Sequence, residues 1–331
     1  MPAKRKADCF CLALVCALGL NLKRMKAAEP KEIKIVSEFD IAPDPHFPGL
    51  TTSLSGVDAT GQPVDLPVVT EKPLTIYLNR QEIVTAMTLG DRPEQMAVGF
   101  LYNQNMLHHG DQITGIDYDD ELSVVIVRTA HETDYEARLQ KKIRTSGCAQ
   151  GTVFGDIMDR FDKVRLNPDM RISTRQLMHL SKLINTAPSL YLTAGAIHGC
   201  VLCTADKPLI YVEDIGRHNA VDKIAGYMFL DQIPAHDKLF YTTGRLTSEM
   251  VIKTVLMGIS VLVSRSGFTE AGVRLARQSG LTLIGRAKGS RFVALSGQQR
   301  IIFDADEADR QAAAAADKPS AQRASQQDSP R

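Results

Sequence analysis

The sequence predicts an α/β fold, a mixed sheet with helices on both faces, preceded by a smaller α/β roll. Three observations predict it. From residue 174 to residue 284, short apolar β-runs alternate with helical periodicity, the pattern of strand–helix–strand units that cover a parallel or mixed sheet on both sides. Before that stretch, two β-runs, a helix and two further β-runs occupy residues 66–129, which suits a small roll. A chain of 331 residues is long enough for two ordinary domains, or one large domain with tails.

Residues 29–60, rich in Pro, Asp, Ser, Thr and Gly, read as an extended lead-in. Alternation at 74–78, polar residues at Asn79, Arg80 and Gln81, and a second run at 82–87 predict a hairpin. Asp91 then reads as an N-cap with Glu94 three residues on, while Met96, Ala97, Phe100 and Leu101 share one helical face. Strands are expected near 112–117 and 122–129. Residues 141–151 break the periodicity, with Thr145, Ser146, Gly147 and Gly151 grouped around Cys148. Beyond them, 174–184 reads as helix, 190–193 as a strand entering a Gly/Ala turn, and 197–204 and 209–212 as paired strands. Helices at 218–230, 248–257 and 270–279, the last stopped by Gly280, alternate with strands at 238–242, 261–263 and 281–284. After Phe303 the composition turns to Ala, Asp, Gln, Ser and Lys, and a disordered tail is expected. The expected organisation is therefore an extension and lead-in at 1–60, a roll at 61–140, a larger domain at 141–303 and a tail at 304–331.

Net charge is +1, from 39 basic and 38 acidic residues, so any anion site must be built locally by particular loops. Trp is absent and aromatics are few, which argues against a base-stacking platform and a nucleic-acid partner. Of the six cysteines, Cys9, Cys11 and Cys16 precede any folded core, and Cys148, Cys200 and Cys203 read as a reduced, cytoplasmic set. Lys4, Arg5 and Lys6 precede an apolar run over 9–20 that is similar to the start of a signal peptide. That run is too short to span a bilayer, no small-x-small cleavage site follows, and Met25 offers an alternative start. An upstream extension without export function is expected, with no stable membrane association; a targeting segment is the alternative.

Cys148 lies in a loop of small residues with no apolar face to bury it, and Lys141, Lys142 and Arg144 stand just upstream. Such a setting stabilises a thiolate or a persulfide anion; a small residue filling a tight loop is the plainer reading. A second segment runs Glu213, Asp214, Ile215, Gly216, Arg217, His218, Asn219, Ala220, Val221, Asp222, Lys223 and joins a strand to a helix. Polar groups at the carboxyl end of a strand, beside a helix N-terminus, form a usual ligand position. Arg217 and His218 could add donors or a proton relay; equally, His218 or Asn219 could be a plain N-cap, with Asp222 and Lys223 on a solvated face. Two more stretches follow strands: Thr242 to Glu249, with Thr243, Gly244 and Arg245, and Gly285 to Arg291, with Arg286, Ala287, Lys288, Gly289, Ser290 and Arg291. Each alone could be a solvated turn, while three together suggest one phosphate-rich ligand. None matches a Walker A or GxGxxG pattern, which disfavours an ordinary NTPase or dehydrogenase. His198, Cys200 and Cys203 raise a zinc reading. Two cysteines three apart on a strand point to opposite faces, so no metal site is expected.

Taken together, the loop at 145–151, the Glu213-to-Lys223 segment, and Thr243, Gly244, Arg245 followed by Ser248, Glu249 and Met250 resemble the FdhD family of formate dehydrogenase accessory sulfurtransferases. The resemblance spans roughly residues 66–303. It implies a cytidine-deaminase-like layered domain without zinc chemistry, and a homodimer. It implies a sulfur carrier that takes sulfane sulfur from a cysteine desulfurase and passes it to molybdenum-bis-molybdopterin guanine dinucleotide destined for formate dehydrogenase. The family's persulfide cysteine falls on Cys148, and its cofactor-binding stretch falls on Arg286 to Arg291. Many members carry CxxC in the loop, whereas Gly151 stands in the second position here, so the resemblance supports a single-cysteine relay. A cofactor chaperone that moves no sulfur, a zinc-dependent deaminase and a generic redox thiol protein are the alternatives.

Overall fold

The structure, a computed structural model, describes residues 39–130 and 154–316 and is mixed α/β with several sheets. Strands β1 (Thr51–Val57) and β2 (Pro63–Val69) pair as an antiparallel ribbon. Next come β3 (Lys72–Leu78), β4 (Gln81–Thr88), helix α1 (Pro93–Asn103), β5 (Ile113–Asp119) and β6 (Val124–Thr129). These four strands form a sheet in the order β4-β3-β6-β5, parallel only between β3 and β6. Helix α2 (Phe154–Lys163) leads to β7 (Ile172–Ser173), α3 (Thr174–Thr186) and α4 (Leu190–Thr193).

A six-stranded sheet follows, from β8 (His198–Cys203), β9 (Pro208–Asp214), β10 (Leu239–Thr242), β11 (Val261–Ser264), β12 (Thr282–Lys288) and β13 (Arg291–Ser296), ordered β13-β12-β11-β10-β8-β9. Helices α5 (Arg217–Leu230), α6 (Ser248–Leu256) and α7 (Glu270–Ser279) connect its strands. β14 (Ile301–Ile302) pairs with β7, and α8 (Glu307–Ala316) closes the described chain. Strands β10, β11 and β12 are parallel, and β8 runs against both β9 and β10. The carboxyl ends of β9, β10, β11 and β12 therefore share one edge with the start of β8.

Period-two alternation assigns the two faces of this sheet. Cys200, Leu202, Phe240, Leu262 and Leu283 pack with α1, α5, α6 and α7 in a core that also holds Leu74, Ile76, Val125 and Val127 of the four-stranded sheet. Val201, Cys203, Tyr241, Val263 and Ile284 pack on the other face with Leu177, Leu180 and Ile184 of α3. The two sheets meet where α1 crosses α5, and glycines permit it. A Cβ on Gly99 would lie 1.7 Å from the Asp222 carbonyl oxygen, and one on Gly226 would lie 1.8 Å from that of Gln95.

Several elements differ from their sequence expectation. Residues 190–193 are a helical turn because the Glu213 carboxylate accepts from the backbone N–H groups of Leu190 (2.8 Å) and Tyr191 (3.0 Å). Asp91 is not the cap of α1; Arg92 holds the N-cap position with left-handed φ of 55°, and Pro93 begins the helix. Residues 285–291 continue β12 and turn into β13 rather than forming a loop. The lead-in contains β1, and the tail contains α8. The start of that tail is fixed by Asp304, which accepts from Thr174 and Arg175, and by Arg175 paired with Asp306 and Asp309.

Gly226→Ala raises intrinsic helix propensity by about 1 kcal/mol, yet it must push α1 off α5. A net loss of about 1–3 kcal/mol is expected, read as a lower urea midpoint. An unchanged or higher midpoint would show that the helices do not approach this closely.

Candidate functional site

The carboxyl edge of the six-stranded sheet is a crevice of the kind that holds ligands in α/β folds. Backbone hydrogen bonds knit its loops together. Gly199 N–H donates to Thr243 Oγ1 at 3.0 Å, and Thr243 N–H donates back to the Gly199 carbonyl at 3.0 Å. Gly244 N–H donates to Thr242 Oγ1 at 3.1 Å, and Ser264 Oγ donates to the Gly244 carbonyl at 2.6 Å. Leu246 N–H reaches the Gly267 carbonyl at 2.9 Å, and Arg286 N–H reaches that of Ser266 at 2.7 Å. Each loop thus holds its neighbour in place across the edge.

Five charged or titratable side chains gather on this frame. Arg217 opens α5 and lies across Gly244; a Cβ on Gly244 would stand 3.0 Å from both Cβ and Cδ of Arg217. A side chain at that position would require Arg217 to give way by a few tenths of an ångström. Burial, followed by the positive charges of Arg217 and Arg245 and the proximity of His218, holds the His198 imidazole below its usual pKa of 6.5. His218 Nε2 sits 3.0 Å from Glu249 Oε2 at the start of α6. That hydrogen bond, outweighing burial, holds the Glu249 carboxyl below the ordinary range. Among the predicted residues, Arg217, His218, Thr243, Gly244 and Arg245 are thus brought to one edge.

The remaining predicted residues sit differently. Arg286 is exposed, in left-handed conformation (φ 54°) within the bulge of β12. Ala287 is buried against the α3 face. Lys288 pairs across to Arg291, with Gly289 and Ser290 at the hairpin turn. Cys148 lies outside the described residues.

The segment from Glu213 to Lys223 divides into two roles. Gly216 is the N-cap of α5, with no side-chain cap, so neither His218 nor Asn219 caps the helix. Asn219 instead donates to the Met87 carbonyl and to Asp214. Lys223 is fully buried, its Nζ 2.6 Å from Asp214, 2.6 Å from Asp91 and 3.0 Å from the Glu213 carbonyl. Asp222 is buried against Lys253 at 2.7 Å and accepts from Asn103 at 2.7 Å. Neither Asp222 nor Lys223 occupies a solvated face. Arg217 and His218 of this segment stand close to His198, with His218 paired to Glu249.

Sequence reasoning weighed His198 only as a zinc ligand, and passed over Glu249 as the partner of His218 and the loop Arg265, Ser266, Gly267 after β11. The last carried the signal already used for Thr243 to Arg245, namely a cation and a glycine directly after an apolar strand. Cys200 and Cys203 are buried on opposite faces, and burial pushes the Cys200 thiol up to about 12. Among the described residues, no three His, Cys, Asp or Glu side chains gather as a metal site, and no helix is long and apolar enough to cross a membrane.

The description of the FdhD/NarQ family matches residues 69–302. A protein named sulfur carrier protein FdhD from Bacillus pumilus is 31% identical, over 71% of this chain and 90% of its own length. Another of that name from Wolinella succinogenes is 30% identical, over 68% of this chain and 79% of its own. Among solved structures, one from Desulfotalea psychrophila, assigned as a formate dehydrogenase accessory protein, superposes with a TM-score of 0.62 at 27% identity. It covers 76% of this chain and 98% of that one.

Since the folded-state pKa of His198 is depressed, the unfolded chain takes up its proton first on acidification. Its contribution to stability is present above 6.5 and is lost as pH falls through the folded value. Arg217→Met is expected to move the imidazole titration of His198 upward, followed by NMR. An unmoved titration would separate the two side chains.

Proposed function

The chain belongs to the FdhD/NarQ family, and from that premise we propose that it is a sulfur carrier that serves formate dehydrogenase. In this reading a cysteine desulfurase loads Cys148, and molybdenum-bis-molybdopterin guanine dinucleotide is the substrate that receives the sulfur before insertion. The protein acts as a cytoplasmic homodimer, with the larger sheet layered as in cytidine deaminase. The observation that carries the proposal is the edge at which Arg217, the first residue of α5, packs on Gly244 and, with Arg245, lies close enough to His198 to hold down its pKa. Two cations and a helix N-terminus suit a phosphorylated, nucleotide-bearing substrate. The relatives named as sulfur carriers support the transfer itself.

The chemistry needs one thiol. The Cys148 thiolate attacks the outer sulfur of the donor persulfide; a new S–S bond forms and the donor cysteine leaves as thiolate. Outer sulfur then leaves Cys148 for molybdenum as sulfide, with two electrons supplied by a thiol reductant and Cys148 restored as thiolate. Gly151 offers no second thiol in the loop, so the relay uses Cys148 alone and takes its two electrons from the external thiol reductant. His218, oriented by Glu249 at 3.0 Å, is the proton carrier of this reading. Asp214 is occupied by Lys223, Thr88, Asn219 and the Gly216 amide and serves structure instead. The phosphate-binding stretch implied by the family resemblance, Arg286 to Arg291, extends the same edge through Arg286, with Lys288 and Arg291 at the hairpin tip.

Incubation with a cysteine desulfurase and cysteine is expected to add one sulfur atom's mass to Cys148 in intact-protein and peptide mass spectra. Cys148→Ala should gain none and should fail to activate formate dehydrogenase, while its unfolding curve stays unchanged. Full activation by the alanine variant overturns the persulfide relay, and binding without mass gain favours a cofactor chaperone. Arg245→Ala is expected to weaken binding of guanosine diphosphate about tenfold or more by calorimetry, leaving sulfur loading intact.

A further inference from the structure

Period-two alternation places the side chain of His198 as well as its backbone. His198 is the first residue of β8, which lies between β9 and β10 in the sheet. Cys200 and Leu202 pack into the core shared with α5 and α6, so His198, two residues before Cys200, stands on that same face. Helix α5 begins at this end with Arg217, and α6 with Ser248. Thr243 is tied to Gly199 by two hydrogen bonds of 3.0 Å, which keeps Gly244 and Arg245 close by. Arg217 in turn lies across Gly244.

Charged groups approach the imidazole from every neighbouring element. The loop after β10 brings Arg245, and the start of α5 brings Arg217 and His218. β9 brings Asp214, the register partner of His198, and α6 brings Glu249 onto His218. Both carboxylates are already committed. Glu249 pairs with His218 at 3.0 Å, and Asp214 holds Lys223, Thr88, Asn219 and the Gly216 amide. Among the described residues the His198 ring has no hydrogen-bond or ion-pair partner of its own. Burial and the two arginines outweigh Asp214 and keep the ring uncharged at neutral pH.

An anion reverses that balance. A phosphate seated on Arg217 and Arg245 cancels the positive charges that oppose a proton on His198, and its own negative charge favours one. The imidazolium then offers the phosphate oxygens a charge-assisted hydrogen bond, about twice as strong as a neutral one. We propose that His198 is a ligand-contacting residue of this edge, neutral in the free protein and protonated beside a bound phosphate, so that binding takes up a proton. This role rests on the phosphate-binding reading of the edge and adds to it a residue and a linkage. Between the free and bound titration points of His198 only the complex carries the proton. Affinity therefore rises as pH falls, by at most about tenfold per pH unit. His218 already has an acid partner in Glu249, so a phosphate alters its surroundings less.

The probe is guanosine diphosphate, titrated into the full chain between pH 7 and 8. Its terminal phosphate, with a second pKa of about 6, is already ionised there. Calorimetry in buffers of different ionisation enthalpy is expected to show uptake of roughly half a proton or more per ligand, with affinity falling about threefold or more from pH 7 to 8. NMR of the unsubstituted protein should show the His198 ring signals move to imidazolium positions on saturation. His198→Gln should bind about tenfold more weakly and lose both the proton uptake and the pH dependence, whereas His218→Gln should retain the uptake. Binding without uptake, the His198 signals unmoved, overturns the role of His198 and leaves the phosphate site standing. Uptake that survives in His198→Gln assigns the proton to another group and overturns it too. A protein that binds no guanosine diphosphate overturns both the role and the phosphate-binding reading beneath it.

Discussion

The buried ammonium of Lys223 is the constraint on which the rest of the fold depends. Burial opposes its charge, yet Asp214 and Asp91 hold its pKa above the usual lysine range. A charge placed out of water is tolerated only with partners in good geometry, and removing one partner from such a pair typically costs about 3–5 kcal/mol. The three groups come from different elements: Lys223 from α5, Asp214 from the end of β9, and Asp91 from the turn before α1. Their meeting fixes the four-stranded sheet to the six-stranded one. It also fixes the last residue of β9, and so the loop from which Arg217 emerges.

The same tactic is repeated nearby. Asp222 bridges Lys253 of α6 and Asn103 of α1, so one turn of α5 carries two buried ion pairs facing different neighbours. Between them the helix presents Gly226 to Gly99 and Ala220, Val221 and Ile224 to the core. Apolar contact supplies the drive to pack α5, while the ion pairs set its rotation and register. A slip of one residue would strand two charges in hydrocarbon, an arrangement that is prohibitively costly. The position of Arg217 and His218 at the head of α5 is therefore determined by groups further along the helix.

Much of the larger sheet was legible because its strands are short and apolar and its helices are punctuated by Gly and by capping residues. The helix at Glu270–Ser279 ends at Gly280 with φ of 71°, as its sequence indicates. Errors arose where a distant side chain decides the local structure. Residues 190–193 are apolar and read as strand, but the carboxylate of Glu213 anchors a helical turn there. Asp91 has the chemistry of a cap, but Lys223 claims its carboxylate. The Gly285-to-Arg291 stretch has the composition of a loop, but pairing with β13 extends the strand through a bulge. Sequence periodicity reports on neighbours three or four residues away and carries no record of such partners.

The density of polar groups from Glu213 to Lys223 invited a purely functional reading, and most of it is structural. Glu213, Asp214, Asn219, Asp222 and Lys223 all have protein partners that account for them. Arg217 and His218 stand instead beside His198, with His218 paired to Glu249. A segment that spends five polar side chains on fixing its own position holds the other two within narrow limits. Such rigidity matters for any ligand the edge holds, because misplacing a cation by about 1 Å forfeits much of the gain from orientation. The buried network and the exposed edge are in this sense one device: the first makes the second reproducible.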